Sequence, residues 1–314
     1  MKLILFRIFL LLFIVFINLS ILKAQTDKSE STSNSVFKAK LSYLSNSVYN
    51  GRKDSLEVPY VNLNLKYLNT NGFYIGSGLS YLVSSYAQRI DVVNINAGYF
   101  KEINDHFDFA VNASKSFYNT NSVSVSSEIL GNLSADITYT NSLFDLSVGS
   151  SASLTTGKSD LSFNFDLSHS FSLDQDDEWS LEPEITSNIG TRNYYGGYLK
   201  TRQTKKGKKK IVPGTTTTTG NVTTATVATI QALNTAQIAI LDYEISLPLY
   251  YRGKKWGFFF IPTYAIPQSP ITYEATVKTT ITTNGNAVSN TKKSTALENI
   301  GNIFYGEIGV TLKF

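Results

Sequence analysis

The side chains able to do chemistry in this 314-residue chain are few in kind: two histidines, no cysteine, 24 carboxylates and 28 lysines or arginines. Without cysteine there is no disulfide framework, no thiolate metal site, no thiol nucleophile and no cysteine to carry a lipid anchor. His106 and His169 stand far apart outside any His-Glu metal spacing, and no Gly-rich phosphate loop is present. Asp174, Asp176, Asp177 and Glu178 crowd one stretch and could collect Ca²⁺. The twelve-residue loop of a calcium hand is missing, however, which favours a solvated acidic turn. Lys200, Arg202, Lys205, Lys206, Lys208, Lys209 and Lys210 form a basic run able to bind phosphates or a polyanion. Its plainer reading is a solvated loop. No basic face interleaved with aromatics points to nucleic acid. The sequence therefore predicts no enzyme, no cofactor and no metal site. A last acidic set is different: Asp108, Asp136, Asp145, Asp166, Glu182, Glu184, Asp242, Glu244 and Glu307 each lie inside a stretch of alternating character.

Those stretches are the elements that must position the carboxylates. In residues 160–173, Leu161, Phe163, Phe165, Leu167, Phe171 and Leu173 alternate with Ser162, Asn164, Asp166, Ser168, Ser170 and Ser172. Successive side chains of a strand point to opposite faces, so the segment has one apolar and one polar side. Twelve such segments are readable: 36–49, 57–69, 72–84, 89–101, 106–118, 129–140, 143–155, 160–173, 179–191, 236–250, 256–266 and 301–314. Barrels of ten or fourteen strands are the alternatives if segments are merged or split. Connections after even segments are short, and two after odd segments, 192–235 and 267–300, are long. An even count with short turns on one side and long loops on the other is the plan of a transmembrane antiparallel β-barrel.

The start of the chain agrees. Lys2 and Arg7 precede an apolar run from Ile8 to Leu22, and Ala24 offers a small residue before a cut, so residues 1–24 read as a secretory signal peptide. An uncleaved anchor is the rival, since Leu22 is a poor small residue. Cleavage removes Lys2, Arg7 and Lys23 and takes the formal charge from +4 to about +1, so the basic balance is no argument for nucleic acid. Residues 25–35 read as a flexible tail before a barrel spanning 36–314.

Aromatic residues line up as well. Tyr67, Phe73, Tyr99, Phe107, Tyr139, Phe144, Trp179, Tyr250, Trp256 and Phe314 lie close to a short turn or the C-terminus, the pattern of an interfacial girdle. Tyr49, Tyr81, Tyr86, Phe117, Tyr118, Tyr194 and Tyr264 would make a looser one opposite. The C-terminal run, with Ile308, Val310, Leu312 and Phe314 at every second place, resembles the terminal strand of Gram-negative outer-membrane β-barrel proteins. That resemblance implies insertion by the barrel-assembly machinery, contact with outer-membrane lipid and lipopolysaccharide, and periplasmic termini. It reaches the architectural class and no functional subfamily. The Asn, Ser, Thr and Lys richness resembles Bacteroidota secreted proteins. An outer-membrane phospholipase of this size would need a His and a Ser on the lipid side near the outer rim. Here His106 sits beside a short turn, and His169 falls on the apolar face with no Ser following at the required spacing.

Extending the alternation turns the nine acids into the lumen, against Lys66 and Lys313 with Lys101 near a turn. Such a lumen favours cations. The first expectation is thus a channel or transporter for small cationic or neutral solutes. The alternative is a closed barrel serving as a surface scaffold through its long loops. A twelve-strand barrel can be open or plugged. Pro183, Pro248 and Pro262 sit inside neighbouring segments and suggest β-bulges, or a weak seam across the wall.

Overall fold

The alternation becomes the wall of a closed barrel in the computed structural model, which describes residues 35–205, 214–219, 222–284 and 286–314. The wall has twelve antiparallel staves. Staves 1 to 7 are β1 (Val36–Leu44), β2 (Tyr60–Leu68), β3 (Phe73–Ser84), β4 (Ala87–Asn104), β5 (Phe107–Tyr118), β6 (Ile129–Thr140) and β7 (Asp145–Thr155). Stave 8 joins β8 (Asp160–Ser168) to β9 (Phe171–Ser172), and stave 9 joins β10 (Trp179–Leu181) to β11 (Glu184–Gly190). Stave 10 joins β14 (Ala239–Ser246) to β15 (Leu249–Arg252), and β16 (Trp256–Pro267) and β19 (Ile303–Lys313) finish the ring. Closure is direct: Leu41 of β1 stands opposite Val310 of β19. All twelve expected segments are present. The first is shorter than expected, ending at Leu44, because the chain then turns inward.

The apolar face points outward. Leu161, Phe163, Phe165 and Leu167 are 42–54% exposed, while Ser162, Asn164 and Asp166 between them face the interior and are half-buried. Ile308, Val310, Leu312 and Phe314 face outward in the same way. A continuous apolar exterior on a closed sheet fits a bilayer, where every backbone group must bond within the wall. Among the described residues no helix is long and apolar enough to cross a membrane. At the short-turn end the rings form a row: Phe73–Tyr99 at 4.8 Å, Phe107–Tyr139 at 5.1 Å and Phe37–Phe314 at 6.0 Å. Tyr251, not Tyr250, belongs to this row, its ring 5.1 Å from Trp179 and 4.7 Å from Trp256. Tyr250 points into the lumen beneath the Arg252 guanidinium, because Tyr251 shares the outward face of Trp179 in the β10–β15 pairing. At the long-loop end Tyr81, Tyr86, Phe117 and Tyr264 are exposed as expected. Tyr49, Tyr118 and Tyr194 are not: they turn inward and pack among the loops.

The three prolines do not make bulges. Across the break in stave 9 the register is unchanged, with Leu181 opposite Leu249 and Glu184 opposite Ser246. No residue is inserted, and the ladder simply loses a bond. His169, Glu182 and Leu247 donate their N–H to the carbonyls of Pro183, Pro248 and Pro262, and the prolines cannot return the bond. The bulge in this region lies further along, between Asn188 and Ile189.

The two long loops join each other. β12 (Gly214–Thr219), β13 (Val222–Leu233), β17 (Thr272–Thr283) and β18 (Asn286–Leu297) form one antiparallel four-stranded sheet, with Ile230 opposite Ala275 at the centre. Asn284, at φ 52°, takes the left-handed turn that joins β17 to β18. A helix, α1 (Asn193–Lys205), precedes β12.

Candidate functional site

All nine carboxylates project from the inward positions of the wall, half-buried or buried. Most are held by neighbours. Asp166 accepts from Asn164 (2.6 Å) and Thr186 (2.7 Å), and Thr186 also donates to Glu184 (3.1 Å). Asp242 accepts from Asn188 (2.9 Å) and Glu244 from Tyr305 (3.1 Å). Glu182 is paired with Arg252 at 2.7 Å and accepts from Ser170 and Ser180, while Glu307 is paired with Lys40 at 3.0 Å. The acidic residues concentrate on staves 5 to 10.

The lumen is less one-sided than its sequence suggested. Lys38 and Lys40 occupy inward positions of β1, and Arg252 continues the inward face of stave 10 beyond the break at Pro248. Adding Lys66 and Lys313 gives five basic residues against the nine acids named; Lys101 takes the outward parity of Tyr99, while Glu102, opposite Asp108, adds a further inward acid. Lys38 stands laterally between Lys66 and Lys313, so staves 12, 1 and 2 carry a basic strip. In a ring of twelve, stave 1 faces stave 7, and the strip looks across the lumen at the acidic wall. The alternation of β1 alone would have found Lys38 and Lys40. Arg252 was hidden because residues 251–255 read as the short turn after the segment ending at 250, whereas the strand runs on to Arg252.

The mouth at the long-loop end is covered. The 45–59 connection folds inward until Gly51, at φ 68°, lies against stave 10; a Cβ there would sit 2.8 Å from that of Asp242, so no larger residue fits. Val125, Ile129, Tyr194, Tyr195, Tyr198 and Ile271 then form a buried cluster from several connections. Tyr49 meets Tyr194 edge-on at 5.0 Å, and the Ser47 and Ser124 hydroxyls lie 3.1 Å apart. Polar groups fasten the cluster. Arg52 pairs with Glu298 at 3.1 Å, their side chains 2% and 7% exposed. Arg52 and Arg192 both donate to the Ser269 carbonyl, and Tyr198 donates to Asp54. Asp160 accepts from the Asn193 (2.5 Å) and Tyr194 (2.7 Å) amides and so fixes the start of α1. Burial pushes the Tyr194 and Tyr195 hydroxyls well above the ordinary tyrosine range. Burial and the neighbouring Arg52 hold Arg192 below the ordinary guanidinium value. Of these fastening residues only Tyr194 stood out in the sequence, and for another reason.

Of the remaining candidates, Lys200, Arg202 and Lys205 fall on α1, whereas Lys206, Lys208, Lys209 and Lys210 lie outside the described residues, as do the signal and tail segments up to residue 34. Asp174 accepts from the Glu178 (3.0 Å) and Trp179 amides, so it closes its own turn. His106 contacts the Thr140 carbonyl at 3.0 Å beside a short turn. His169, whose ring stands edge-on 4.4 Å from Phe171, lines a cavity with lumenal residues of staves 6 to 10.

No protein-family model and no curated protein matches the chain. Solved barrels superpose along most of its length. The NanC porin is 10% identical with a TM-score of 0.46, covering 88% of this chain and 100% of its own. The KdgM porin is 10% identical with a TM-score of 0.39, covering 89% and 99%. An outer membrane channel from Pseudomonas putida F1 is 9% identical with a TM-score of 0.34, covering 93% and 100%. The chain's own closed ladder, outward apolar belt and row of interfacial rings make it a twelve-stranded β-barrel of the outer-membrane class.

Proposed function

We propose that the barrel conducts small solutes across the outer membrane, with its short turns and both termini in the periplasm and a lumen that favours cations. The observation carrying this reading is the lumen's fixed charge: the nine acids and Glu102 against Lys38, Lys40, Lys66, Arg252 and Lys313. Carboxylates held on a wall select cations, and the basic strip opposite would orient solutes that carry both charges. In this reading residues 1–24 direct export, the barrel-assembly machinery recognises the strand ending at Phe314, and the basic run on and after α1 meets lipopolysaccharide phosphates. The covered mouth acts as a gate that parts to admit solute.

The test is a reversal potential for the barrel in a planar bilayer under a KCl gradient. A cation-signed potential is expected, and replacing Asp108, Asp145 and Glu182 by Asn or Gln should collapse it toward zero. A cation-signed potential unchanged in the triple variant would remove the carboxylates from the pathway. A closed scaffold that binds through its loops is favoured by one feature, the buried cluster across the mouth continuing into the four-stranded sheet. Deleting 206–213 separates the two: a pore still conducts, whereas a scaffold for a polyanion loses its ligand.

A further inference from the structure

Near the short-turn end the wall lines a half-open cavity of about 270 Å³, with Asp145, Ser168, His169, Ser170, Glu182 and Arg252 among its lining residues. Its charges are not balanced. Glu182 and Arg252 neutralise each other at 2.7 Å, with Ser180 as a second acceptor for the guanidinium. Asp145 is left over. Its Oδ1 is fully buried and has no hydrogen-bond partner among the described residues, although the Thr140 hydroxyl lies beside the carboxylate. A buried carboxylate oxygen without a donor is unfavourable and is satisfied best by a charged donor.

The proline breaks meet this cavity. His169 and Glu182 both line it, and each has a proline opposite it in the neighbouring stave. Pro183 accepts from the His169 amide, and Pro248 from the Glu182 amide, but neither returns a hydrogen bond to the carbonyl facing it. Two backbone acceptors at the cavity edge are thereby released from the ladder. Ser168, Ser170 and Thr138 supply further hydroxyl oxygens. The lining is thus rich in acceptors, and Asp145, beside the Thr140 hydroxyl and the His169 ring, has no ion-pair partner among the described residues.

We propose that this cavity is a recognition subsite for a small organic cation with a primary ammonium group. The ammonium has three N–H donors and one charge, which suits the Asp145 carboxylate, a released carbonyl and a hydroxyl, with the side chain turning to present its unpartnered oxygen. The volume admits an attached chain of amino-acid size. A bare metal ion would leave most of that space unfilled. The subsite deepens the channel reading and rests on it for its place along a pathway.

The experiment is calorimetric titration of butylammonium into the barrel held in lipid nanodiscs, with tetramethylammonium as a cation of equal charge that has no N–H. Butylammonium should bind the native barrel at least about tenfold more tightly than it binds Asp145→Asn, the range for a lost charge-assisted bond. Tetramethylammonium should bind the native barrel at least about tenfold more weakly than butylammonium. Pro183→Val, which returns a donor to the His169 carbonyl, should weaken butylammonium by roughly threefold, one ordinary hydrogen bond. Heat-modifiable electrophoretic mobility confirms that each variant is a folded barrel. Equal affinity of native and Asp145→Asn barrels, or of the two cations, overturns the subsite, and an unchanged Pro183→Val affinity overturns the carbonyl's part. Binding is read without transport, so a barrel that conducts but ignores Asp145→Asn sinks the subsite alone. One that binds butylammonium but never conducts sinks the channel alone.

Discussion

The Arg52–Glu298 pair shows how much depends on single residues at the covered mouth. Both side chains are almost fully removed from solvent, and Glu298 also accepts from the Ile271 amide at 3.0 Å. Removing one partner of a buried pair leaves an uncompensated charge and costs about 3–5 kcal/mol, whereas replacing both by apolar residues costs far less. Glu298→Gln should therefore speed amide hydrogen exchange at residues 49–54 and 269–271, and the Arg52→Met, Glu298→Met double variant should recover most of the protection. Exchange equal to native in Glu298→Gln would mean that the pair does not hold the loops. The neighbouring tyrosines give a pH dependence. Burial raises Tyr194 and Tyr195 above the ordinary value of 10.0, so the folded mouth prefers the neutral phenols. The stability they contribute is complete below pH 10.0 and is lost as pH rises toward their folded-state values. Tyrosinate absorbance should thus appear late and in step with loosening of the mouth, and Tyr195→Phe should reduce that late component. At this scale the sequence was only partly legible. Parity places Asp166 or Glu307 in the lumen with no further information. It cannot show that Arg52 meets a glutamate 246 positions away, because nothing local marks either residue.

At the scale of elements, legibility followed periodicity. Each stave repeats every second residue, so all twelve were readable even where prolines interrupt them. The prolines were misread as bulges because a missing N–H and an inserted residue leave the same mark on a sequence. Only the pairing, with Leu181 opposite Leu249 and Glu184 opposite Ser246, separates the two. The loop sheet is half legible: the Asn284-Gly285 pair favours a two-residue turn between β17 and β18, but pairing of β13 with β17 joins segments about fifty residues apart. Helix α1 offers only a short stripe, Tyr194, Tyr195, Tyr198 and Leu199, inside a stretch that otherwise reads as a polar loop. Its start is imposed from outside by the Asp160 carboxylate at the end of stave 8, which takes up two amides that a helix leaves unbonded. Asp160→Ala should destabilise the first turn of α1 by about 1 kcal/mol, the usual cost of a lost cap. Faster amide exchange confined to residues 193–199, with staves 7 and 8 unchanged, is the expected pattern. Uniform loosening of the wall would instead mean that Asp160 holds the barrel rather than the helix.

For the whole molecule, the question is whether the covered mouth controls passage. The barrel and its cover are built on different physics. The wall is a continuous ladder with its apolar face outward, and opening it would expose backbone groups to lipid at several kcal/mol each. The cover is a small buried cluster tied by a few polar contacts between connections, so it belongs to the part of the structure that opens locally at lower cost. Motion should therefore occur by the 45–59 connection withdrawing from its neighbours while the staves stay fixed. Because the chain has no cysteine, one engineered pair can test this cleanly. The Ser47 and Ser124 hydroxyl oxygens lie 3.1 Å apart, close enough for a disulfide after a small adjustment of the side chains. In the Ser47→Cys, Ser124→Cys barrel, oxidation should pin the first connection to the one between staves 5 and 6 and lower the single-channel current, and a reductant should restore it. Each single-cysteine variant should conduct alike under both conditions. If the oxidised pair conducts as well as the reduced one, solute does not need this connection to move, and the path must run around the cover beside the acidic wall.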